Sequence, residues 1–123
     1  LAGGFSRERE ISLKTARGVF KEIKKKYITK IYEPNGDLIK NIRSFQPDVV
    51  FNALHGRYGE DGYIQSILES EKIKYTHSGV LSSSIAIDKE ISKKIFVKNN
   101  ILTPKYFKFK FNKLLKKSEL KKK

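Results

Sequence analysis

Residues 47–68 read PDVVFNALHGRYGEDGYIQSIL. A nearly continuous apolar run, Val49 to Leu54, follows Pro47. Runs of this length suit a strand buried on both faces, as strands of parallel sheets are. The run ends in His55. Three glycines, an arginine, a tyrosine and the acidic pair Glu60-Asp61 fill the next seven residues. Ile64, Ile67 and Leu68 then recur at helical spacing. The stretch therefore reads as strand, glycine turn, helix, with a histidine at the carboxyl end of the strand. A tight turn alone accounts for such a pattern, and so does one wall of a binding site.

The same alternation continues in both directions. Upstream, Gly3-Gly4 precedes a helix over residues 6–26, along which Ile11, Leu13, Ala16, Val19, Phe20 and Ile23 recur at helical spacing. Ser6 is the expected N-cap, Glu8 and Glu10 carry negative charge in the first turn, and lysines 24–26 crowd the last, as the helix dipole favours. YITKIYEP, residues 27–34, predicts a strand leading into the turn Pro34-Asn35-Gly36-Asp37. Residues 37–45 read as a short helix or an irregular link. Downstream, KYTHSG, residues 74–79, predicts a short strand and residues 83–98 a helix ended by Asn99-Asn100. TPKYFKFKF, residues 103–111, alternates as a strand does. The fold class expected is α/β, an open mostly parallel sheet flanked by helices. Such sheets bind ligands at the carboxyl ends of their strands, where Gly3-Gly4, His55-Gly56 and Ser78-Gly79 all fall.

Composition narrows the function classes. The chain has 123 residues, enough for one domain of ordinary size, and no cysteine, so neither a disulfide framework nor a thiolate metal site is available. No stretch approaches the roughly 18 apolar residues of a membrane span, and no signal peptide is visible, so a cytoplasmic protein without membrane association is expected. The formal charge is +14, but only five of the 27 basic residues are arginine. Nine lysines fall in residues 105–123, and without that tail the charge drops to about +6. Specific nucleic-acid sites draw on arginine for bidentate contacts, so no specific nucleic-acid partner is expected. The first residue is Leu1 and the last residues are a lysine-rich run, and both ends read as cut.

Each candidate site residue has two readings. Glu8 either compensates the helix dipole or pairs with an ammonium group lying over the sheet edge. His55 either ties down the following loop or donates to a ligand carboxylate. It has no partner at metal-ligand spacing apart from Glu60 and Asp61, which are most simply a cap with first-turn charge. Lys89, among lysines 93, 94 and 98, is either part of a solvated face or a point charge for phosphate.

Three motifs tip these readings. GGFSREREISL, ALHGRYGEDGYIQS and YTHSGVLSSSIAIDKEISK resemble, in order and spacing, the amino-terminal part of bacterial D-alanine–D-alanine ligases. The resemblance covers residues 1 to about 107. It implies a Rossmann-like pre-ATP-grasp domain followed by only the start of an ATP-grasp domain. Members of the family join two D-alanines for peptidoglycan, using ATP and magnesium, through an acylphosphate of the first D-alanine. By resemblance, Glu8 is expected to anchor that substrate's amino group as the catalytic residue, His55 to lie near its carboxylate, Ile11 to contact it, and Lys89 to contribute to ATP phosphate binding. No metal ligand is assigned. The family is often dimeric through this domain, so a homodimer is a further expectation.

The ATP-grasp region proper, with its phosphate loop and acidic magnesium ligands, has no counterpart in the sequence. The expected organisation is an amino-terminal α/β substrate domain over 1–85, a linker helix and the start of a truncated ATP-grasp domain over 86–111, and a lysine-rich tail over 112–123. The expected function is a ligase fragment inactive by itself. The alternatives are a non-catalytic basic binding module built on the ligase scaffold, and a related ATP-grasp amino-acid ligase.

Overall fold

The computed structural model describes residues 1–108. Five helices follow one another: α1 (Arg9–Ile23), α2 (Leu38–Phe45), α3 (Tyr63–Ser70), α4 (Val80–Ala86) and α5 (Lys89–Lys98). Two compact units divide the chain, one spanning Leu1–Lys89 and the other beginning at Glu90. Residues 112–123 of the expected tail, and residues 109–111 of the last expected strand, lie outside the described residues.

The segment quoted above organises the first unit. Along it, Val50 and Leu54 pack with Leu38 and Ile42 of α2 and with Ile64 and Leu68 of α3. The intervening Ala53, with Phe51 partly buried beside it, packs against Ala2 and Ala16 of α1. Successive side chains of an extended chain point to opposite faces, so this segment is covered on both, by α2 and α3 on one side and α1 on the other. Three alanines at the second contact keep side chains short and let α1 approach the backbone closely. On α2 and α3 the core residues stand four apart, one helical turn on the same face.

Backbone hydrogen bonds line up four segments side by side. Ala2 N–H donates to Tyr32 O at 3.1 Å, and Ala53 N–H to Leu1 O at 2.9 Å. The Leu1 nitrogen donates to Phe51 O at 2.6 Å. Leu1 thereby straddles Asn52 in the parallel pattern. On the other flank Val50 N–H donates to Lys74 O and Thr76 N–H to Val50 O, at 2.8 and 3.2 Å. This makes Val50–Tyr75 a parallel β-bridge. Among the described residues no regular strand forms. The segments at 27–34, 47–55 and 74–79, expected as strands, contribute these short pairings instead.

Two helices differ from expectation, and one open reading is decided. α1 starts later than residue 6, with Glu8 as N-cap. Ser6 Oγ does accept the Glu8 N–H, at 3.1 Å, so it braces the turn before the helix rather than capping it. The helix expected over 83–98 is two helices, α4 and α5, interrupted at Ile87-Asp88. Asp88 stands immediately before α5, where a short carboxylate favours a helix start. Residues 38–45 resolve the earlier ambiguity as a helix, stopped by Gln46 in left-handed conformation (φ 49°) just before Pro47.

In the second unit, Lys93 Nζ donates to Thr103 Oγ1 and the Pro104 carbonyl at 2.9 and 2.8 Å, folding the chain after α5 back along it. Glu90 pairs with Lys94 at 2.7 Å and also with Lys108. Hydrogen bonds from Lys108 and then Lys94 hold the Glu90 carboxyl down at about 2.

Candidate functional site

The glycine loop after Leu54 is built largely by its own carboxylates. Glu60 Oε2 accepts the Gly56 N–H at 2.7 Å, and the Glu60 N–H returns a bond to Gly56 O at 2.9 Å. Asp61 accepts from the Tyr58 N–H at 2.9 Å and from the Tyr63 N–H, the first residue of α3, at 3.2 Å. It thus satisfies an otherwise orphaned donor at a helix start. From α4, Ser84 Oγ donates to the Asp61 carbonyl at 2.8 Å.

His55 stands where the loop begins. Its Nε2 is 3.4 Å from Thr15 Oγ1 of α1, and its Nδ1 is 3.7 Å from Glu60 Oε1. The imidazole is therefore flanked by α1 on one side and the loop on the other. The Glu8 carboxylate arrives at the same place. Gly56 has a φ of +67°, and a Cβ built on it would stand 2.6 Å from Glu8 Oε2. Only glycine both adopts that backbone easily and leaves the room. Two carboxylates, Glu8 and Glu60, consequently bracket Gly56 next to an imidazole. Carboxylates suit an ammonium group and an imidazole N–H suits a carboxylate, so the arrangement has the polarity of a zwitterion's binding wall.

Beside this wall opens a cleft of about 360 Å³ lined by Phe5, Leu54, His55, Arg57, Tyr58 and Tyr63, with other residues of the loop and of α2. Phe5 meets Tyr58 edge-on at 6.5 Å, and Tyr58 meets Tyr63 at 5.2 Å. The Arg57 guanidinium lies 4.9 Å over the Tyr58 ring.

The sequence-predicted residues separate into two groups. Glu8 and His55, distant along the chain, come together at Gly56. Ile11 is exposed on α1, three residues after Glu8 and four before Thr15, and hence on the same helix face as both. Lys89 opens α5, exposed, and no hydrogen bond or ion pair joins it to Glu8 or His55. His77 stacks edge-on with Phe51 at 6.1 Å and has Thr76 Oγ1 3.1 Å from its Nδ1.

Several residues that hold this site went unread in the sequence. Ser12 is fully buried on α1, and its Oγ accepts the Gly3 N–H at 2.8 Å. Its signal was a serine on the apolar face of an amphipathic helix. Asn52 and Gln65, also buried, both donate to the Gly59 carbonyl, each at 2.9 Å; Gln65 was noted only as part of the ALHGRYGEDGYIQS motif. Arg57 was noted only as part of the loop.

Known proteins similar to this chain belong to one family. Residues 33–78 match the family model described as D-ala D-ala ligase N-terminus. The chain is 67% identical over 114 residues to the D-alanine–D-alanine ligase of Pelagibacter ubique, covering 92% of this chain and 38% of that protein. It is 49% identical over 105 residues to the ligase of Zymomonas mobilis, covering 85% of this chain and 33% of that one. The chain thus spans about a third of the length of these curated relatives. Among solved structures, D-alanine–D-alanine ligase from Bacillus anthracis complexed with ATP superposes with a TM-score of 0.75 at 37% identity, over 98% of this chain and 42% of that one. By sequence and by fold, the chain is similar to the amino-terminal part of D-alanine–D-alanine ligases.

Proposed function

We propose that this chain supplies the first-substrate wall of an ATP-dependent ligase that joins two D-alanines for cell-wall synthesis. The observation that carries this reading is the meeting of the Glu8 carboxylate with the His55-Gly56 turn. In this reading Glu8 binds the ammonium of the first D-alanine and fixes its orientation. His55, held between Thr15 and Glu60, donates to that substrate's carboxylate, and Ile11 supplies the apolar contact to its methyl group. Holding a carboxylate still for attack on a phosphoryl group is positional and electrostatic work, and these residues are suited to both.

ATP supplies the phosphoryl group in such a reaction, and Lys89 is the residue proposed to meet its phosphates. Among the described residues no group of three acidic or histidine side chains could hold a metal ion; in this reading most ligands of the magnesium that accompanies ATP come from outside this chain. The paired segments around Tyr32, Leu1, Val50 and Tyr75 are proposed to belong to an open, mostly parallel sheet. Residues 1–85 are proposed as the substrate domain, with the start of an ATP-grasp domain over 86–111. Dimerisation through the first of these and a cytoplasmic setting complete the proposal. Among the described residues no helix is long and apolar enough to cross a membrane.

The test is a titration of the chain with D-alanine, followed by nuclear magnetic resonance at the His55 ring and the Gly56 amide. Saturable shifts at both, weaker for L-alanine and lost in Glu8→Gln, are expected. Identical responses to the two enantiomers, or shifts untouched by Glu8→Gln, would overturn the reading.

A further inference from the structure

We infer that Asn52 and Gln65 are positioning residues for the His55 loop, acting together through a single atom, the carbonyl oxygen of Gly59. Both side chains are only 2% exposed. Asn52 Nδ2 and Gln65 Nε2 each donate to Gly59 O at 2.9 Å, which occupies both lone pairs of that oxygen. Asn52 Oδ1 meanwhile accepts the Leu54 N–H at 3.1 Å. One side chain therefore stitches the segment entering the loop to the loop's midpoint, while the other stitches the midpoint to α3.

Packing reinforces the clamp. A Cβ on Gly59 would fall 2.5 Å from Leu54 Cβ, so the backbone at Gly59 is pressed against the core residue that precedes His55. The residue after Gly59 is Glu60, whose carboxylate bonds the Gly56 N–H and faces the His55 ring. Fixing Gly59 therefore fixes where that carboxylate begins. Gln65 also leaves its Oε1 buried without a partner, a cost of burial that a merely space-filling role does not require. An apolar side chain of equal length would pack there without it. The consequence for ligand binding rests on the reading of His55 as a substrate contact; the loop geometry itself does not.

Two substitutions isolate the clamp in the full chain. Asn52→Asp keeps the acceptor for Leu54 and removes the donor to Gly59. Gln65→Met keeps length and apolar packing and removes the other donor. Amide hydrogen exchange at Gly56 and Glu60 reads the closed loop directly, because both amides are bonded across it. Losing one such bond is expected to speed their exchange about tenfold, while the Ser12 amide of α1 keeps its native rate. The His55 ring resonances are expected to move in both variants. Unchanged loop exchange in Gln65→Met would overturn the inference. Equal acceleration at Ser12 would also overturn it, since that reports general loss of stability. Should Asn52→Asp fail to fold, Gln65→Met alone decides. A native chain that gives no response to D-alanine removes the functional reading and leaves the exchange result to judge the clamp.

Discussion

The carboxylate of Glu8 lies 2.6 Å from the point where a side chain on Gly56 would begin. A residue from the start of α1 and a backbone from the central loop thus share one small volume, and each constrains what the other can be.

Gly56→Ala is the direct consequence. The new methyl group collides with Glu8 Oε2 and the backbone sits at a φ of +67°, so the substitution costs about 1–2 kcal/mol from conformational strain. A lower denaturation midpoint and loss of the D-alanine response are the expected outcome. A midpoint equal to that of the native chain would count against the close approach.

Glu8→Gln separates binding from folding. Glu8 is exposed and makes no capping hydrogen bond through its side chain, so thermal stability is expected to change by less than about 0.5 kcal/mol. D-Alanine binding is expected to fall at least about tenfold, since a charge-assisted contact to ammonium is lost. Calorimetry on the two proteins at matched salt checks both halves.

Ser12→Ala tests the buried hydroxyl. With Oγ gone, the Gly3 N–H that bonds it is left buried and unsatisfied, at a cost of about 1–3 kcal/mol. Urea denaturation is expected to show that loss with an unchanged slope. Ser12→Cys, which keeps a weak acceptor, is expected to recover part of it.

Tyr75 gives the pH dependence. Its hydroxyl donates to Glu69 Oε1 at 2.6 Å, and that bond, with burial and the nearby charge, pushes the phenol up to about 12 from an ordinary 10. A folded-state pKa above the unfolded one means stabilisation present in full below pH 10 and lost as pH rises toward 12. Ultraviolet titration is expected to show one of the six tyrosines ionising late. Glu69→Gln is expected to bring it back toward the ordinary value.

The fold was legible where physics is local. The apolar run at 49–54 announced two-sided burial, and the four-residue spacing in α3 announced its inward face. Glycine and asparagine announced the turn at 34–37, where Asp37 N–H does bond Asn35 Oδ1 at 3.0 Å. What was not legible depends on distant partners. The interruption between α4 and α5 is invisible to periodicity, which reads through a two-residue break. Short pairings rather than regular strands follow from how few residues each neighbour contributes, which no single segment encodes. Glu8 and His55 were individually readable as chemistry, but their meeting at Gly56 needed the packing of α1 on the segment before the loop. Asn52 was hidden because a polar residue inside an apolar run looks like a blemish until its two partners are known.

The alternation of Val50 and Leu54 with Ala53 along the central segment sets a limit on evolutionary change. Deleting or inserting one amino acid between Val50 and His55 would exchange the bulky and the small side, thrusting leucine toward the alanine-lined helix and leaving a void on the opposite side. It would also swing the imidazole away from its neighbours. Length in this stretch is therefore far less negotiable than identity, and homologous chains should vary here by substitution and never by indel.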